Sequence, residues 1–230
     1  MSFTPSVRTW IALALVGMVV ILTARLVGKP MPTSTPIPIV VIDPGHGGQD
    51  PGAVGSNGTY EKNINLSVSL ILATLLRQEQ VTVYLTRSGD QFPSSPPFHT
   101  LRDLKHRVLL SRQWRATIFV SIHTNSEPTG TVHGPIVYYR AASALSLALA
   151  TEVTHSLGTL QGRITPPRPI HQLVLEEAGV PAINVEVGFL THPLDQSRLI
   201  NSTYQTRIAQ AVSMGILRYL SRNPQPGKEG

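Results

Sequence analysis

Two rhythms of apolar and polar positions alternate along this chain. The run IVVID, Ile39 to Asp43, stays apolar until its last residue and suits a strand buried on both faces. From Glu61 to Gln78 the period lengthens. Ile64, Val68, Ile71, Leu72 and Leu75 recur at helical spacing and mark one face. VTVYLT (Val81 to Thr86) predicts a second strand. Leu101 to Arg115 predicts a second helix, with Leu101, Leu104, Val108 and Trp114 among its apolar positions. TIFVSIH (Thr117 to His123), PIVYY (Pro135 to Tyr139) and AINVEV (Ala182 to Val187) predict further strands, and Ala142 to Leu157 and Tyr204 to Leu220 further helices. QFPSSPPFHT, Gln91 to Thr100, reads as a proline-rich surface loop. The alternation predicts an α/β fold: a single domain with a mostly parallel central sheet flanked by helices on both faces.

Outside that alternation the pattern changes. From Thr9 to Ala24 no charge interrupts the chain, with Arg8 before and Arg25 after. The stretch is short for a spanning helix, but snorkelling arginines extend its reach. Residues 1–28 are therefore expected to form an uncleaved N-terminal membrane anchor, with a cleaved export signal as the alternative. Either reading puts the domain outside the cytoplasm. Residues 29–38 carry prolines at 30, 32, 36 and 38 and read as a semi-extended linker. The domain is expected over 39–221, followed by a polar tail over 222–230.

Composition narrows the chemistry. Hydrophobic residues make up 41% and charged residues 14%, a globular balance. No cysteine is present, so any metal must be held by His, Asp or Glu. The net charge is +6, yet the basic residues are scattered and no nucleic-acid motif occurs, so no nucleic-acid partner is expected.

The glycine-rich DPGHGGQDPG fails as a phosphate cradle, because Asp50 stands where the third glycine belongs and no helix follows at once. A distributed metal site fits better. His46 follows the first strand by three residues and His123 ends TIFVSIH. If those strands are parallel, both imidazoles emerge at one edge, where ligands gather in open parallel sheets. Glu61 opens the first helix on the face shared with Ile64 and Val68. Two imidazoles and a carboxylate with a fourth position open make a zinc set suited to hydrolysis. Glu186 interrupts the apolar INVEVGFL, where a carboxylate is costly unless paired or used. It either pairs with an arginine such as Arg87 or serves as general base. His171 and His192 fall in loops that could approach the cleft. Arg77, Arg102, Arg112 and Arg218 read as solvated helix-face residues.

VVIDPGHGGQDPGAVG, EKNINL, TRSGD, LKHRV, FVSIHTNS and PAINVEVGFLTHP, in this order, resemble the zinc-dependent N-acetylmuramoyl-L-alanine amidases of the type-3 domain. The resemblance covers Ile39 to about Leu220. It implies one Zn2+ per chain held by His46, Glu61 and His123, with Glu186 as the catalytic carboxylate. The implied reaction is hydrolysis of the amide between the lactyl group of N-acetylmuramic acid and L-alanine in peptidoglycan. The chain is most similar to the membrane-anchored, germination-specific amidases that trim spore cortex for muramic-lactam formation, and the sequence leaves room for a separate activator protein. Ser111, Arg112, Thr117, Glu176 and His192 depart from the usual family residues. The alternatives are an inactive peptidoglycan-binding scaffold and a metallopeptidase cutting within the stem peptide.

Overall fold

The computed structural model describes Trp10, Ile11, Met18, residues 36–95 and residues 97–223. The elements run β1 (Ile39–Pro44), α1 (Glu61–Gln78), β2 (Thr82–Leu85), α2 (Thr100–Gln113), β3 (Ile118–Asn125), β4 (Ile136–Arg140), α3 (Ala144–Gln161), β5 (Arg168–Ile170), α4 (Leu173–Glu176), β6 (Ala182–Phe189), α5 (Pro193–Leu199) and α6 (Ser202–Arg222). They build one six-stranded sheet in the order β2-β1-β3-β6-β4-β5. Strands β2, β1, β3 and β6 are parallel, β4 runs antiparallel to β6, and β5 parallels β4. The reversal at β4 follows from its connection. No helix separates β3 from β4, so the chain cannot return to the starting edge and turns back where β3 ends.

Alternation along the central strands feeds two cores. Val40, Ile42, Val120, Ile183 and Val185 pack with residues of α1, α3 and α6. On the other face Val41, Phe119 and Ala182 pack with Val108 of α2 and with Val174 and Leu175 of α4. Helices thus cover both faces of the sheet, as the pattern predicts.

Local chemistry sets the helix ends. The Ser143 side chain accepts from the Ser146 N–H, so α3 begins one residue later, and Gly162 closes it at φ 69°. Three elements escaped the pattern: β5, α4 and α5. β5 has three residues in a proline-rich stretch, and Pro169 is tolerated there because the strand lies at the sheet edge. The expected anchor over 1–28, most of the linker and the tail beyond Asn223 lie outside the described residues. Among the described residues, no helix is long and apolar enough to cross a membrane.

Candidate active site

Strand β1 delivers the chain into a loop whose backbone is unusual. His46 has φ 61°, a left-handed conformation that a non-glycine residue adopts only when its surroundings enforce it. Two buried arginines do so. Arg87 donates to the carbonyls of Pro44 (2.9 Å), Gly45 (2.8 Å) and Lys62 (2.9 Å). Arg107 donates to the carbonyls of Pro44 (2.9 Å) and His46 (2.8 Å), and to the carboxylates of Asp43 (2.7 Å) and Asp103 (2.8 Å). Asp43 also accepts from the Thr86 and Ser121 hydroxyls, so the charges of this buried cluster are fully engaged. Across the loop, the Gly45 N–H donates to the Ile122 carbonyl at 2.9 Å and ties the loop to β3.

That frame brings His46, Glu61 and His123 together. One ligand atom from each lies within 4.8 Å of the others, a group able to hold a metal ion. His46 Nε2 stands 3.2 Å and His123 Nδ1 2.9 Å from Glu61 Oε1. His46 Nδ1 meets Asp50 Oδ2 at 2.8 Å, which leaves Nε2 turned to the group. Two glycines make the space. A Cβ on Gly45 would lie 2.2 Å from the His123 ring, and one on Gly52 2.6 Å from Glu61 Oε2. Burial pulls His46 down, but Glu61 and Asp50 overcome this and hold it up at about 9. Burial pushes Glu61 up, and the hydrogen bonds of His123 and His46 reverse the balance, keeping it well below the usual carboxylate range.

Glu186 stands beside this group, because strand register makes it the partner of His123. Its Oε1 accepts from Asn184 Nδ2 at 3.0 Å, while Oε2 is buried with no hydrogen-bond partner. Burial raises its pKa. A cleft of about 240 Å³ adjoins the two histidines, with Phe98, Leu104 and Val174 among its walls.

A family model for N-acetylmuramoyl-L-alanine amidases matches residues 40–218. The chain belongs to that family. It is 31% identical over 195 residues to the germination-specific N-acetylmuramoyl-L-alanine amidase of Bacillus subtilis (strain 168), covering 82% of each chain. Among solved structures it is similar to the CwlD amidase from Clostridioides difficile in complex with the GerS lipoprotein. That match has a TM-score of 0.77 and 29% identity, covering 80% of this chain and 99% of that one. N-acetylmuramoyl-L-alanine amidase AmiC2 of Nostoc punctiforme gives a TM-score of 0.71 and 36% identity over 80% of this chain and 98% of its own.

Within the amidase domain, some sequence-based expectations need correction. Arg87 does not pair with Glu186, because its guanidinium is spent on backbone carbonyls. Arg77 and Arg112 do lie on exposed helix faces, and each also donates to one carbonyl, Val83 for Arg77 and Glu177 for Arg112. His171 pairs with Glu176 at an exposed position, and His192 lies against His133 with ring centroids 4.8 Å apart. The residues overlooked are Asp43, Arg107 and Asn65, which together with Arg87, named only as a partner for Glu186, hold the loop and Glu61. Asp43 carried a signal close to that of Glu186: it ends an apolar run that Glu186 interrupts in its own strand.

Proposed function

We propose that this chain hydrolyses the amide joining the lactyl group of N-acetylmuramic acid to L-alanine in peptidoglycan, with His46, Glu61 and His123 holding one zinc ion and Glu186 as the catalytic carboxylate. The observation that carries this reading is the three-residue group with a buried, half-satisfied glutamate one strand away. The donor set fits zinc: two imidazoles and a carboxylate, with no thiolate in the chain. Zinc bound there supplies Lewis-acid polarisation of the scissile carbonyl.

The chain's own groups do the rest. Asp50 fixes the His46 tautomer that presents Nε2. The Thr124 and Ala53 N–H groups and Asn65 Nδ2 hold the Glu61 carboxylate in place. Oε2 of Glu186 takes a proton from the attacking water and returns it to the leaving amine nitrogen, a task suited to a carboxylate whose pKa burial has raised.

The setting we propose is outside the cytoplasm, with residues 1–28 as a membrane anchor and spore cortex as the wall acted on. The likeness to a germination-specific amidase supports the cortex role, and the likeness to an amidase solved with a lipoprotein supports a protein activator. The test is mass spectrometry of muropeptides treated with the purified chain. We expect a free L-alanine amino terminus and peptide-free muramic acid. Cleavage inside the stem peptide would make the chain a metallopeptidase, binding without cleavage would make it a scaffold, and full activity after exhaustive chelation would remove zinc from the reading.

A further inference from the structure

Strand β6 carries a second polar residue in its apolar run. Asn184 is 1% exposed and lies two positions before Glu186, so both side chains leave the strand on the face that carries Ala182, toward α2 and α4. Its backbone pairs with Ser121 of β3 on one side and Tyr138 of β4 on the other, which fixes the base of the side chain. The amide nitrogen is shared between two acceptors: Glu186 Oε1 at 3.0 Å and Gln172 Oε1 at 3.3 Å. The Asn184 carbonyl oxygen is buried without a hydrogen-bond partner. Turning the amide over would set that oxygen against both acceptors, so the donor orientation is the one the pocket accepts. Gln172 occupies the N-cap position of α4, yet its side chain makes no capping bond and reaches toward Asn184 instead.

We propose that Asn184 is a positioning residue for Glu186, oriented in turn by Gln172. Resting on the reading of Glu186 as the catalytic carboxylate, this inference assigns the two carboxylate oxygens different tasks. Asn184 ties Oε1 down, and Oε2 is left as the free acceptor beside the histidine group. An apolar side chain at 184 would satisfy the packing around Ala182, Val174 and Leu175 but would leave Glu186 without its one side-chain donor and free to rotate.

The test uses kinetics on muropeptides with the zinc-loaded chain. Asn184→Leu is expected to lower kcat about tenfold, with KM and bound zinc unchanged. In the Glu186→Gln background the same substitution is expected to cost nothing further, because a residue acting through Glu186 has nothing left to position. A role in packing alone would instead multiply through both backgrounds. An unchanged kcat, a rise in KM alone, or an equal loss in the Glu186→Gln background would each overturn the inference. If Asn184→Leu does not fold or hold zinc, Gln172→Leu decides. A smaller kcat loss that vanishes with Glu186→Gln supports the proposal, and an unchanged kcat overturns it. A fully active Glu186→Gln would remove the underlying reading itself, whereas an inactive Glu186→Gln beside an unimpaired Asn184→Leu removes only this inference.

Discussion

Glu61 and Glu186 are both carboxylates taken out of water, at 5% and 8% exposure, so burial does not distinguish them. Their donors do. Glu61 accepts from the Ala53 N–H, the Thr124 N–H and Asn65 Nδ2, and faces two imidazoles. Glu186 accepts from Asn184 alone and keeps one oxygen bare. Burial pushes both pKa values up. At Glu61 the histidine hydrogen bonds reverse that push, and at Glu186 it prevails. A group that binds a cation must stay anionic, while a group that trades protons needs a pKa near its working range. One pocket supplies both environments by the number of donors it spends.

The largest effect should come from Glu61→Ala. Two backbone donors, the Ala53 and Thr124 N–H groups, lose their acceptor at about 1–3 kcal/mol each when left buried and unpaired, Asn65 keeps only the Gly45 carbonyl, and the proposed metal group loses its only carboxylate. Bound zinc and muropeptide cleavage should both fall to background, and urea unfolding should show lower stability. Retained zinc by elemental analysis would break the comparison at its root.

Glu186→Gln should separate the two glutamates. Turnover should drop about 10²- to 10⁴-fold, the usual contribution of a general acid–base group. Zinc content should stay at one per chain, and stability should not fall, because a neutral amide replaces a carboxylate that burial disfavours. Lost zinc in this variant would mean that Glu186 is itself a ligand.

How much of this was legible in the sequence depended on the range of each signal. The parallel strands and long helices were readable because apolar periodicity is local, and the bounds Glu61 to Gln78 match α1 at both ends. The group itself was readable because His46 follows β1 and His123 lies near the end of β3, two parallel strands that end at one edge. Arg87 and Arg107 were not. Arg87 stands just past a strand end and Arg107 inside a helix, places where a charge is ordinarily solvated, and the Pro44 carbonyl that both hold lies more than 40 positions away, which no periodicity encodes. The antiparallel turn at β4 was likewise hidden, since Pro135 to Tyr139 reads the same in either direction.

The arginine clamp sharpens the comparison from outside the pocket. Arg107→Met removes the cation between Asp43 and Asp103 and should cost about 3–5 kcal/mol, the usual price of stranding a buried partner. Because the same guanidinium holds the His46 carbonyl, zinc affinity should weaken with stability. Chemical denaturation and zinc titration of one preparation measure both, and unchanged values for the pair would show that the loop holds His46 unaided.

The smallest effect, and the one that tests the electrostatics alone, concerns acid. Burial pushes Asp43 up, but Arg107 and the Thr86 hydroxyl more than offset it and hold the carboxyl below its ordinary 3.8. A depressed folded pKa means that the unfolded chain takes up protons first. Its stabilisation is therefore whole above about 3.8 and drains away as pH falls through the lower folded value. Asp43→Asn keeps the shape and removes the titration. Its unfolding free energy should start below that of the natural chain near pH 6, and the gap should narrow as pH drops past 4. Denaturation curves that stay parallel down to pH 3 would place the acid sensitivity elsewhere, with Glu61 as the remaining buried carboxylate held low by its partners.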